Sequence, residues 1–368
     1  MSELSRPRRF ARTAGVLGAV VGVAAAGVAA GVAAERLILR RRRTADVDQL
    51  VEERFGQLPY DETCTVTTDD GLDLYVEIVE RSDGIELDFG LADEPEPTLV
   101  FVHGFCLDMG TFHFQRTALT RLGAYRMVFY DQPGHGRSGK LKHGEYSLDD
   151  LGSGLMKVLD ETVPDGPMIL IGHSMGGMTI MSLAEMYPEL FGDRVRGVVL
   201  ISTSAGNLDE VNFGMPDFLA RFSKPLVPVV IGSGKLTAGV VDSIRRASTD
   251  LAWLLTRRYG FGTTRPSPAL VTYVEQMNSR TGTEVVVRYL RTLFTHARYP
   301  ALEALKRTSA LVICGDDDKL TPPEHSAEIC RILPDARFVG VPGAGHVALL
   351  ERPDIVNAAL LDFLEQIY

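Results

Sequence analysis

The sequence predicts an α/β fold: a mainly parallel central sheet flanked by helices, with an inserted helical cap before the last strands. Three observations predict it. Short apolar runs alternate with helix-like stretches along most of the chain, the pattern of crossover units that cover a parallel sheet on both faces. The alternation lapses between residues 205 and 300 and then resumes. And Gly172-His173-Ser174-Met175-Gly176 sits between the apolar run Met168-Ile169-Leu170-Ile171 and a helical stretch, so a strand, a sharp turn and a helix follow one another.

The elements read in order as follows. Residues 44–62 form a linker with a short helix. Cys64 to Thr68 and Leu72 to Val79 are strand-like, and Asp69-Asp70-Gly71 between them signals a hairpin. Arg81 to Pro97 is acidic and contains Pro and Gly, hence a surface connection. Thr98 to Val102 is a buried strand, Thr111 to Leu122 a helix and Arg126 to Tyr130 a strand. Ser147 is a suitable N-cap for a helix reaching Thr162, with Asp149 and Asp150 in its first turn. Strands at Met168 to Ile171 and Val195 to Ile201 enclose a helix from Met175 to Tyr187, stopped by Pro188. After the lapse come strand Ala310 to Cys314, helix Pro323 to Leu333, strand Arg337 to Val341 and helix Pro353 to Ile367. The resulting organisation is 1–43 as an N-terminal segment, 44–62 as linker, 63–204 and 301–368 as the two parts of the core, and 205–300 as the cap.

The chain has 368 residues, 45% of them hydrophobic and 23% charged, a globular composition. Its net charge of −10 is uneven. Residues 1–43 hold nine Arg against Glu3 and Glu35, a net of +7, so the remainder carries −17. An acidic body excludes nucleic acid as the expected partner. Ala14 to Ala34 has no charge and is rich in Ala, Gly and Val, with Arg on both flanks. Its 21 residues are long enough to cross a bilayer. The expectation is an uncleaved single membrane span and a membrane-associated protein. Secretion after cleavage of a signal at Ala34 is the alternative. Cys64, Cys106, Cys314 and Cys330 form no C-x-x-C pair and no cluster with zinc spacing, so no metal is expected.

A serine hydroxyl is a weak nucleophile at neutral pH. It needs a base in hydrogen-bond reach, and the base needs a carboxylate to orient it. Ser174 stands in the sharp turn. Gly172 and Gly176 leave room there for the neighbouring strand and helix. Gly315-Asp316-Asp317-Asp318 follows one later strand, and Gly343-Ala344-Gly345-His346 follows the last. The order along the chain is serine, acid, histidine.

Five segments together resemble the α/β-hydrolase superfamily in its capped, lipase- or esterase-like branch. They are His103-Gly104-Phe105, Asp131 to Ser138, Gly172 to Gly177, Gly315 to Pro322 and Gly343 to His346. The resemblance covers about residues 63–368 and implies an α/β-hydrolase fold with a Ser174–His346–Asp318 triad. It selects Asp318, three residues past the strand-ending glycine and before Pro322. Asp316 and Asp317 are then loop carboxylates, and Asp209 is a weaker alternative acid. It also implies an oxyanion hole made by the backbone N–H groups of Phe105 and Met175. His103 and His173 are substrate-pocket candidates, although His103 and His135 are also expected to bond the nearby backbone. His113, His143, His296 and His325 have no partner signal.

Relatives that act on haloalkanes or epoxides carry aspartate at the elbow, so a serine argues against those reactions. The triad suits an acyl-enzyme and attack by water. The expected activity is hydrolysis of carboxylic esters, with C–C bond hydrolysis or perhydrolysis as alternatives. A ligand-binding domain that has lost catalysis is the non-enzyme alternative. The apolar content of the cap, from Phe213, Met215, Phe218 and Phe222 to Tyr273, Tyr289 and Phe294, points to a hydrophobic small-molecule ester. No cofactor is implied.

Overall fold

The computed structural model describes residues 48, 50–82, 96–211, 249–262 and 266–367. Eight strands form one sheet. In chain order they are β1 (Glu62–Thr67), β2 (Asp73–Val79), β3 (Thr98–Val102), β4 (Met127–Tyr130), β5 (Met168–His173), β6 (Val195–Ile201), β7 (Ser309–Gly315) and β8 (Arg337–Val341). Their order across the sheet is β1-β2-β4-β3-β5-β6-β7-β8. β1 and β2 form the antiparallel hairpin that Asp69-Asp70-Gly71 signals, and β2 is antiparallel to β4. Every other pairing is parallel. β3, β4 and β5 are buried at every position, as strands covered on both faces must be.

Successive side chains point to opposite faces of a strand, and the core divides accordingly. Leu99, Phe101, Ile169, Ile171, Val199, Ile201, Leu311 and Ile313 lie on one face. Val100, Val102, Met168, Leu170, Val198, Leu200 and Val312 lie on the other. The first face is covered by α1 (His113–Leu122), preceded by a 3-10 turn at Met109–Phe112, and by the two C-terminal helices. The second is covered by α2 (Leu148–Thr162) and α3 (Met175–Met186), which supply Leu155, Val158 and Ile180. α2 starts where Ser147 predicts. The Ser147 hydroxyl accepts from Asp150 N while the Asp150 carboxylate accepts from Ser147 N, a reciprocal capping box.

Between β6 and β7 the described residues form α4 (Thr249–Gly260), α5 (Pro268–Arg280), α6 (Thr283–Thr295) and the short α7 (Ala301–Leu305). This is the stretch where the alternation lapses. The described part holds no strand, only an isolated antiparallel bridge between Gly206 and Ala297. Phe213, Met215, Phe218 and Phe222 lie outside the described residues. α8 (Pro323–Ile332), α9 (Ala348–Glu351) and α10 (Pro353–Ile367) complete the chain.

Two expectations are corrected. Residues 50–61 form turns rather than a short helix. Among the described residues no helix is long and apolar enough to cross a membrane. This overturns the expected membrane span and the membrane-associated location derived from it. Ala14 to Ala34, on which both rested, lies outside the described residues, as does the alternative cleavage site at Ala34.

Candidate active site

β5 delivers its last residue, His173, to the carboxyl edge of the sheet, and the chain then turns sharply into α3. Ser174 makes the turn at φ 53° and ψ −118°, a left-handed conformation that a serine adopts only under constraint. The constraint is visible in the two glycines. A Cβ on Gly172 would lie 2.6 Å from Gly177 N, and one on Gly176 would lie 1.9 Å from the Val102 carbonyl oxygen. Their bare backbones let α3 start directly against β3 and β5.

The three sequence-predicted groups meet. The Ser174 hydroxyl lies 2.8 Å from His346 Nε2. On the other side of the ring, His346 Nδ1 lies 2.9 Å from Asp318 Oδ2 and 3.2 Å from Oδ1. All three residues are buried. Burial pushes the Asp318 carboxyl up, but the facing His346 ring and the donors of Thr321 and Leu320 outweigh it and hold the group below the usual carboxylate range. Asp318 therefore stays ionised and accepts a hydrogen bond from Nδ1–H, which keeps the ring proton on Nδ1 and leaves Nε2 free to accept from Ser174.

The carboxylate is fixed by its own turn. Asp318 Oδ1 accepts from Leu320 N at 2.8 Å and Thr321 N at 3.0 Å, and Oδ2 accepts from the Thr321 hydroxyl at 2.9 Å. Thr321 is a site residue that the sequence reading missed. Its signal was an Asp followed three positions later by Thr, the spacing of a side chain bonded to its own turn. The neighbouring carboxylates go elsewhere. Asp316 accepts from Gly343 N at 2.6 Å and ties the acid loop to the histidine loop. Asp317 and Asp209 are exposed.

The loop His103-Gly104-Phe105 leaves β3 beside the serine. A Cβ on Gly104 would sit 3.1 Å from Ser174 Cβ and 2.8 Å from His173 Nδ1. Phe105 N follows this contact, and Met175 N is the first amide of α3 after the serine. Gly104 thus brings the loop that carries Phe105 N against Ser174, and Met175 N lies at the helix terminus, where the dipole adds positive character.

The buried histidines hold backbone. His103 Nδ1–H donates to Gly104 O at 2.8 Å while Nε2 accepts from Gln132 N at 2.8 Å. His135 does the same between Pro133 O at 2.9 Å and Cys106 N at 3.0 Å. His173 Nε2–H donates to His346 O at 2.9 Å, fixing the histidine loop from below. None of the three rings is more than 1% exposed. His113 pairs with Glu53 at 2.9 Å, and His325 meets the Ser204 hydroxyl at 2.8 Å.

These rings make stability depend on pH. Burial lowers His103 to about 4 and His135 and His173 to about 3. Below pH 6.5 the unfolded chain binds protons that the folded chain refuses, so each ring weakens the fold as pH falls. Asp131 acts in the opposite sense. Burial, with the Asp108 charge, raises it to about 7 against two backbone donors. Between there and its ordinary value the folded chain holds the extra proton, which favours folding as pH falls. Burial lowers His296 and His325 in the same sense as the three rings, and raises Asp108 in the sense of Asp131, so the histidines outnumber the carboxyls and unfolding takes up protons on balance near pH 5. The urea midpoint is expected to fall steadily from pH 7 to pH 4.5; a flat midpoint over that range contradicts the neutral rings.

Comparison with known proteins gives three kinds of likeness. The family profile described as "alpha/beta hydrolase fold" matches residues 97–353. The chain is 29% identical over 287 residues to the dihydrolipoyllysine-residue acetyltransferase component of the acetoin cleaving system of Pseudomonas putida, covering 76% of this chain and 66% of that protein. It thus spans slightly less than two thirds of that relative. It is 25% identical over 277 residues to sn-1-specific diacylglycerol lipase ABHD11 of Mus musculus, covering 74% of this chain and 82% of that one. Among solved structures, a thermophilic esterase from Thermogutta terrifontis with malate bound is similar with a TM-score of 0.62 at 22% identity, over 83% of this chain and 99% of that one. That last likeness concerns the fold.

Proposed function

Since the chain belongs to the alpha/beta hydrolase fold family, we propose that it is a serine hydrolase of carboxylic esters that works through an acyl-enzyme. The observation that carries this reading is the unbroken file from Ser174 Oγ through His346 to Asp318, at 2.8 and 2.9 Å. In the first half-reaction His346 Nε2 takes the hydroxyl proton as Ser174 Oγ attacks the ester carbonyl carbon. The imidazolium that forms is stabilised by Asp318. The carbonyl oxygen becomes an oxyanion and is bound by Phe105 N–H and Met175 N–H, whose placement beforehand spares reorganisation in the transition state. Collapse breaks the bond to the leaving alcohol, which takes the proton from Nε2. Water then repeats the sequence on the acyl-serine, and Ser174 recovers its proton.

A lipophilic acyl group suits the surroundings. Phe105 and Met175 pack in one apolar cluster with Met178, Leu208, Val285, Tyr289 and Leu293, so the described residues between β6 and β7 that meet Phe105 and Met175 offer a hydrophobic surface. A diacylglycerol lipase among the relatives points the same way.

The test is turnover of p-nitrophenyl esters of graded chain length by parent and Ser174→Ala protein. The variant is expected to lose at least about 10⁴-fold in kcat. Turnover within tenfold of the parent would refute the assignment. Turnover of a dienoic ring-cleavage product far above that of every ester would replace it with C–C bond hydrolysis.

A further inference from the structure

Gln132 follows Asp131 at the end of β4 and does not touch the triad. It is fully buried, and every polar group on it is engaged. Its backbone N–H donates to His103 Nε2 at 2.8 Å. Its side-chain Nε2 donates to His103 O at 2.5 Å, and its side-chain Oε1 accepts from the Thr179 hydroxyl at 2.7 Å. His103 begins the loop that presents Phe105 N–H. Thr179 lies one turn into α3, and its hydroxyl is also 3.0 Å from Met175 O. One carboxamide therefore joins the two segments that carry the Phe105 and Met175 amides.

We infer that Gln132 is a positioning residue for the oxyanion hole, setting the separation and relative angle of the Phe105 and Met175 N–H groups. This rests on the reading of those amides as oxyanion donors. The physical case is that neither donor can be placed by its own side chain, since both are backbone groups. The His103–Phe105 loop could pivot about Gly104, whose backbone runs against His173 and Ser174. The carboxamide stops that pivot by holding the His103 carbonyl to the helix. A planar amide with a donor at one end and an acceptor at the other fits both anchors; an apolar side chain of equal length fits neither. With Gln132 replaced, Thr179 can turn its hydroxyl wholly to Met175 O, while the His103 carbonyl is left buried without its donor.

The experiment compares parent, Gln132→Met and Thr179→Val protein by two readouts. One is the second-order rate of inactivation by a fluorophosphonate, in which Ser174 Oγ bonds to phosphorus, fluoride leaves and the phosphoryl oxygen enters the oxyanion hole. The other is kcat against KM on a p-nitrophenyl ester. Gln132→Met is expected to lower the inactivation rate and kcat together by about 10- to 100-fold, less than the loss of a whole donor, with KM within about twofold. Thr179→Val, which keeps the bond to His103 O, is expected to lose about threefold to tenfold by the same two readouts. A folded Gln132→Met protein with both rates within twofold of the parent overturns the inference, as does a loss confined to KM. If Gln132→Met does not fold, parental rates in Thr179→Val overturn it. Failure of the underlying function looks different: the parent itself would then resist the fluorophosphonate, or label equally after Ser174→Ala.

Discussion

Asp318→Asn lowers kcat by about 10⁴-fold while the protein stays folded and binds its substrate nearly as before. The size of the loss follows from which way the new amide must point. Leu320 N and Thr321 N both donate to the position of Oδ1. The amide oxygen has to take that place, because an NH₂ group there would face two donors. The NH₂ then occupies the position of Oδ2, 2.9 Å from His346 Nδ1. A donor at this nearer position, against an acceptor at 3.2 Å, favours an accepting Nδ1, so the imidazole carries its proton mainly on Nε2. Nε2–H cannot accept the Ser174 proton. The carboxylate that stabilised the imidazolium is gone as well. Steady-state kinetics at neutral pH check the magnitude, and the nitrogen chemical shifts of the histidine report the tautomer. A kcat within tenfold of the parent, or an unchanged tautomer, removes the proposed role of Asp318.

Gly176→Ala is expected to cost more than about 3 kcal/mol and to leave little folded protein, although it adds one methyl group. The Cβ would stand 1.9 Å from Val102 O and 2.6 Å from Val102 C. Both are backbone atoms, so no rotamer change relieves the contact. β3 cannot retreat either, since it is paired on both sides, to β4 and to β5. Gly343→Ala is the control. Gly343 has φ +67° with nothing within 4 Å of its added Cβ, so only the strain of a left-handed alanine applies, about 1 kcal/mol. Urea denaturation of both variants decides the matter. A Gly176→Ala protein within about 1 kcal/mol of the parent would show that the approach of α3 to β3 is looser than the structure has it.

Much of this was readable from the sequence because it is local. β8 and α10 run over the residues their apolar patterns predict, and β5 runs two residues past the predicted Ile171, into the turn motif as far as His173. The glycines of the turn announced close backbone approach, and the distances from Gly172 and Gly176 give it a size. The order of serine, acid and histidine carried the triad, although its members lie 28 and 172 positions from His346. What the sequence did not disclose depends on partners distant in the chain. His113 carried no sign of Glu53, nor His325 of Ser204. Gln132 stood inside a quoted motif, yet nothing in its neighbours indicates the His103 carbonyl or Thr179. The turns at 50–61 were mistaken for a helix because their fixing contacts are remote: Gly56 N donates to His113 Nδ1 at 3.4 Å, and Arg116 reaches Pro59 O at 2.6 Å.

The strand order has a further consequence. β3 has β4 on one side and β5 on the other, so the chain winds outward in opposite directions from the β3–β5 seam. Loops leaving neighbouring strands at such a reversal diverge and open a crevice. Ser174 and the His103–Phe105 loop leave the two strands of that seam, while Asp318 and His346 follow β7 and β8 at the far margin. Bringing Asp318 and His346 to Ser174 must therefore await the docking of residues 309–368, the last sixth of the chain. In a refolding chain, regained turnover marks completion of the sheet, later than any signal from its secondary structure.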